Sequence, residues 1–225
     1  VVVDAKARPG DWILTGSQDF ALAAGASQSL AGRTALVTLL APSWGELQRI
    51  RRHPKALLDV LWTGAYPRIH EERLDPARWL ADYVRTYVER DVRKLLNVGD
   101  LLAFQTFLKM CAGRAGQLLN LAGLAADCGI AQPTAKRWLS VLEASYIVFR
   151  LPPLHRNWSK RLVKAPKLHF YDTGLLCWLL GIRSAADLAH HAQRGAVFES
   201  WVASELVKQR WHAGLERDLS FYRDR

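Results

Sequence analysis

The sequence predicts an α+β fold that is mostly helical, and three observations carry that reading. Between Asp75 and Leu96, apolar residues recur at three- and four-residue steps, the signature of an amphipathic helix. Residues 101–171 read as helix, helix, glycine-containing turn, helix and two short strands. Half of the 225 residues are apolar and 23% are charged, the balance of a chain that buries a core.

The elements follow in order. Trp12–Leu14 is a short apolar strand running into the polar elbow Thr15-Gly16-Ser17-Gln18. A small-residue helix spans Phe20 to Leu30, and Ala35 to Leu40 is a second strand that Pro42 stops. Ser43 and Glu46 have the spacing of a capping box. Residues 46–74 are expected to be irregular, because Gly64, Pro67 and mixed charges interrupt any period. Asp75-Pro76 starts a helix of about six turns through Leu96, with Arg85, Glu89 and Arg93 in (i, i+4) pairs on its solvated side. Asn97-Val98-Gly99-Asp100 ends it.

Leu101–Cys111 is a helix expected to turn Leu102, Phe107 and Leu108 inward. Asn120 caps a short helix, Leu121–Asp127, and Gly129 supplies the positive φ of the turn that follows. The next helix runs from Pro133 to about Ala144. Its wheel puts Ala135, Trp138, Leu139 and Leu142 on one side and Lys136, Arg137 and Ser140 on the other. Tyr146–Leu151 and Lys167–Tyr171 are antiparallel strands, and the loop between them makes the whole a winged helix-turn-helix. Thr173–Leu180 and Gly195–Trp211 are helices, the second with Phe198, Val202, Leu206 and Val207 inward. Leu219–Tyr222 is a last strand.

Charge is not evenly spread. The net +10 is concentrated in residues 118–171, which hold eight lysines and arginines against two acids. A local excess of this kind suits an anionic partner, and DNA is the expected one. The wing region, Arg150 to Lys167, carries Arg150, Arg156, Lys160, Arg161, Lys164 and Lys167 with no acidic residue. Lys136, Arg137, Ser140, Arg156, Lys160 and Arg161 are therefore the expected DNA-binding residues. The alternative is a helix pair that docks a protein partner or a second subunit, or that packs between domains. No apolar run approaches the ~18 residues that cross a bilayer. Three scattered cysteines suit a cytoplasmic location with free thiols.

A strand ending in Ser17, followed by Arg33, is the arrangement with which a nucleotide-binding sheet senses a terminal phosphate. Ile13-Leu14-Thr15-Gly16-Ser17-Gln18, Ser29-Leu30-Ala31-Gly32-Arg33 and Gly64-Ala65-Tyr66-Pro67-Arg68 resemble the prokaryotic AAA-type P-loop ATPases that carry an uncharacterised, restriction-endonuclease-like C-terminal domain. Tyr87-Val88-Glu89-Arg90-Asp91-Val92, Gln132-Pro133-Thr134-Ala135-Lys136-Arg137-Trp138-Leu139, Tyr171-Asp172-Thr173-Gly174-Leu175 and Phe198-Glu199 continue the likeness in the same order.

The resemblance implies four parts. Residues 1–45 would be a C-terminal remnant of the ATPase core and residues 46–100 a connecting helical region. Residues 101–171 would be the winged helix, and residues 172–225 the start of the nuclease-like domain. Ser17 and Arg33 would be nucleotide-facing. However, no G-x-x-x-x-G-K-[ST] loop occurs in the 225 residues, so ATP and Mg²⁺ are expected of the intact family member and not of this chain. Glu199 is the nuclease-like candidate, with Asp224 the downstream acid that the nuclease reading would pair with it. A single carboxylate does not make a metal site, so no complete catalytic set and no metal site are expected.

Overall fold

The helix predicted from Asp75 is described from Pro76 to Tyr87 and packs with other helices around one core. A computed structural model describes residues 37–50, 53–87, 101–154, 165–216 and 218–222. Ser17, Arg33 and the predicted strand and helix before them lie outside these residues. So do Arg156, Lys160 and Arg161 of the wing, Lys164, residues 88–100 and Asp224.

The described helices are α1 (Trp44–Leu47), α2 (Leu57–Thr63), α3 (Pro67–Glu72), α4 (Pro76–Tyr87), α5 (Leu101–Gly113), α6 (Leu121–Asp127) and α7 (Gln132–Ala144). Strands β1 (Val148–Leu151) and β2 (Lys167–Phe170) follow. The chain then forms α8 (Thr173–Leu179), α9 (Ala185–His190) and α10 (Arg194–His212). The described residues are mostly helical with one small antiparallel sheet. None of the described helices is long and apolar enough to cross a membrane.

The strands pair in the register Val148↔Phe170 to Leu151↔Lys167. Gly116–Leu119 lies along the other edge of β2: Gly116 N donates to Leu168 O at 2.7 Å, and Leu119 N to Pro166 O at 2.8 Å. The core centres on α5, where Phe104, Phe107, Leu108 and Cys111 form a fully buried stripe at helical spacing. Buried residues all along α8 match its neighbours, since α2, α4, α5, α10 and β2 pack around it.

Five expectations are corrected. Residues 46–74 are not irregular: they hold α2 and α3, and the end of α1. These helices are too short for the sequence to show a repeated period. Leu102 is 73% exposed, because the buried stripe of α5 begins at Phe104 and leaves Leu102 on the opposite side. In α10, Val207 is buried as expected, but Phe198, Val202 and Leu206 face outward. The inward face of α10 is built from Val197, Ser200, Ala203, Ser204, Glu205, Val207 and Lys208. Small side chains there let the helix approach β2 and α8 closely, and Ser204 Oγ donates to Tyr171 O at 2.6 Å. Finally, Val37–Leu40 forms no strand, and Leu219–Tyr222 contributes a single parallel bridge, Pro153↔Phe221.

Candidate functional site

The helix pair α6–α7 is positioned by its caps and its turn. Asn120 Oδ1 accepts from Gly123 N at 3.0 Å, satisfying one orphan amide of α6. Gly129 takes φ +65°, and Ile130 N donates back to Ala125 O at 3.0 Å, which closes the turn. Helix α7 then starts at Ala131, whose methyl group cannot cap. The phase of α7 is the one its wheel predicts. Ala135, Trp138, Leu139 and Leu142 are buried, with Val141 beside them. The Trp138 ring lies edge-on to Phe104 and Phe107, 5.3 and 5.5 Å between centroids. Its buried Nε1 has no hydrogen-bond partner among the described residues.

The outer face of α7 carries Lys136, Arg137 and Ser140, all exposed. Ser140 Oγ donates to Lys136 O at 3.0 Å, which leaves its lone pairs toward solvent. Neither Lys136 nor Arg137 forms an ion pair among the described residues. Two cations of the wing region are already neutralised. Arg150 forks onto Glu143 at 2.6 and 2.9 Å, and Lys167 Nζ donates to Glu199 Oε1 at 2.6 Å. The structure thus brings together Lys136, Arg137 and Ser140 of the expected DNA-binding set; Arg156, Lys160 and Arg161 lie outside the described residues.

Glu199, the nuclease-like candidate, is half exposed on α10 and holds Lys167. His169 Nε2 is 3.9 Å from the same carboxylate oxygen, and His169 Nδ1 is 3.1 Å from Ser200 Oγ. Both His169 and Ser200 are fully buried, so this serine is no accessible nucleophile. Among the described residues no group of three His, Cys, Asp or Glu side chains is placed to hold a metal ion. His169 and Asp172, three residues apart, go to different partners.

Burial pushes the His169 imidazole down to about 4, against a partial opposing pull from Glu199. Its folded value lies below the ordinary 6.5, so its contribution is fully present above that pH and is lost as pH falls through the window toward 4. Urea denaturation at pH 7 and pH 5 should therefore show a loss of about 2 kcal/mol attributable to this ring. The loss should vanish in His169→Gln. An unchanged pH dependence in that variant would remove His169 as its source.

A second polar group escapes sequence reasoning altogether. Asp172 caps α8 by accepting from Leu175 N at 2.8 Å, and it also accepts from Ala65 N at 2.7 Å. Burial raises its carboxyl above the ordinary carboxylate range, partly offset by those two bonds and by the Lys208 and His70 charges. His70 Nε2–H donates to Gly64 O at 2.9 Å. Gly64 and Gly174 allow this close meeting of α2 and α8. A Cβ on Gly174 would lie 2.5 Å from Thr63 O, and one on Gly64 2.4 Å from Asp172 Oδ1. The signal was present as Gly64-Ala65 and Asp172-Thr173-Gly174, but nothing in a linear pattern says that two segments over 100 residues apart share one carboxylate.

The family described as Domain of unknown function (DUF8612) matches residues 54–186, from just before α2 to the start of α9. The uncharacterized protein Rv2008c of Mycobacterium tuberculosis is 34% identical to the chain over 210 residues, 92% of this chain and 46% of its own length. The uncharacterized protein Mb2031c of Mycobacterium bovis gives the same values. The chain thus spans about half the length of the curated relatives it matches. No solved structure matches it significantly. With more than half of its residues matched by the family, the chain belongs to the family described as Domain of unknown function (DUF8612).

Proposed function

We propose that α5–α7 with the β1–β2 pair act as a winged helix that grips duplex DNA, with the outer face of α7 toward the major groove. One observation carries the reading. That face is polar and basic, holds Lys136 and Arg137 without acidic partners among the described residues, and exposes no large apolar side chain. A protein-docking helix needs an apolar anchor on the presented face. A DNA-facing helix needs donors and cations. The docking alternative would take its anchors from α10, where Phe198, Val202 and Leu206 are exposed, and not from α7.

In the longer relatives this module would belong to a DNA-associated ATPase of the AAA type, a reading supported by the motif resemblance. The 225 residues supply no phosphate-cradling loop. Nucleotide binding is therefore assigned to the longer proteins, and nuclease chemistry is not assigned to this chain, where Glu199 is engaged by Lys167.

The test is a titration with duplex DNA over a range of salt. Non-specific binding of ~10⁻⁴–10⁻⁶ M is expected near physiological salt. The log of the binding constant should fall by roughly 0.9 per phosphate neutralised for each unit of log salt. Replacing Arg156, Lys160 and Arg161 together by Ala should weaken every sequence alike, because such cations meet phosphates. Arg137→Ala should also flatten any sequence preference, since an arginine on the recognition helix can reach guanine edges. Absent binding at low salt, or binding indifferent to salt, would transfer the module to the protein-docking role.

A further inference from the structure

Residues 40–47 form a strap laid across α10 and fastened from beneath. Leu40 is buried against Phe149, Tyr171, Ala203 and Val207, and Leu47 is buried beneath α1. Between these two apolar anchors the fastening is polar. Glu205 Oε2 accepts from Trp44 N at 2.7 Å, and Lys208 Nζ donates to Pro42 O at 3.2 Å. The two side chains also bind each other at 3.3 Å, and both are nearly inaccessible, 8% and 2% exposed. At the far end of the strap, Glu46 Oε2 lies 3.2 Å from His212 Nδ1. A cavity of about 10 Å³, lined by Leu47, Asp172, Glu205 and Lys208, lies at the strap's inner side.

This fastening is unusual in its chemistry. A helix that needed only to be covered would present apolar residues, because burying an ion pair costs desolvation that an apolar pair avoids. Here the helix spends two charged side chains on two backbone groups of one short segment. The strap's own structure is local: α1 is four residues long and closed by a capping box, with Glu46 Oε2 accepting from Ser43 N and Oγ at 2.8 Å, and an isolated helix of that length does not persist in water.

We propose that Glu205 and Lys208 are a clasp, and that residues 40–47 open as a unit, separately from the core, when it is released. Opening turns a fixed segment of eight residues into a free one, roughly 25 Å long when extended at about 3.3 Å per residue.

Hydrogen exchange on the whole chain tests this, read at Leu47 and Gln48. Their amides donate to Ser43 O and Trp44 O, inside the strap, and not to the clasp. Faster exchange there reports opening and not the mere loss of a clasp bond. Lys208→Met leaves Glu205 buried beside no cation and is expected to speed both amides. The deciding variant is Glu205→Leu with Lys208→Met, which removes both charges and keeps an apolar fill. Exchange at Leu47 and Gln48 should rise tenfold or more, with α5 and α7 amides at wild-type rates. Strap exchange within about twofold of wild type in the double variant would overturn the clasp. Equal acceleration in the strap, α5 and α7 would overturn the separate opening.

Discussion

Gly174→Ala is expected to cost at least about 3 kcal/mol in urea denaturation, enough to leave much of a marginally stable chain unfolded. The added methyl would lie 2.5 Å from Thr63 O, 2.8 Å from Thr63 C and 2.9 Å from Gly64 N. All three are backbone atoms at the end of α2, so no rotamer change relieves the clash. Either α2 or α8 must shift, and both are packed into the same core. Gly64→Ala adds strain of a different origin, because φ +74° with ψ −164° is a region that essentially only glycine adopts. Gly195→Ala is the control. Nothing lies within 4 Å of its Cβ position, so a change of no more than about 1 kcal/mol is expected. A Gly174→Ala protein as stable as wild type would mean that α2 and α8 are not held as described.

Asp172→Ala has the second largest expected effect, about 3 kcal/mol or more. It strips the acceptor from Ala65 N and Leu175 N, and each buried amide left unsatisfied costs roughly 1–3 kcal/mol. The loss of a costly buried carboxylate offsets part of this, and that part depends on pH. The folded carboxyl is raised above its ordinary 3.8, so the native state binds a proton that the unfolded chain has released. Wild-type stability from this group therefore falls as pH rises from about 3.8 through the folded value. The gap between wild type and Asp172→Ala should accordingly be widest near pH 4 and narrow upward. Denaturation curves at several pH values check both size and slope. A gap that widens with pH would contradict the burial of this carboxyl.

What the sequence discloses depends on how local the cause is. Caps, the Gly129 turn and the phase of α7 are settled within a few residues of each other, and the structure keeps all three. The β1–β2 pairing likewise follows from two adjacent strand patterns. Helix α10 shows the limit. Phe198, Val202 and Leu206 repeat at i, i+4 and i+8, which on periodicity alone is a buried stripe. The true inward face is decided by what α10 meets: the Tyr171 carbonyl, the strap and β2. The candidate site divides in the same way. Lys136, Arg137 and Ser140 are legible because helical geometry alone places them. Asp172, Glu205 and Lys208 are not, since each acts on a backbone group far away in sequence.

The embrace of α8 by α2 also bears on how the protein is made. Thr63 and Gly174 touch, yet more than a hundred residues of polypeptide separate them. A ribosome adding about 5–20 residues per second needs roughly 5–20 s to cover that gap. Throughout that interval Val60 and Leu61 of α2, both core residues in the finished molecule, emerge without the segment that will pack on α2. Slowing elongation between these segments should therefore lower the soluble yield, while slowing it after α10 should leave the yield unchanged.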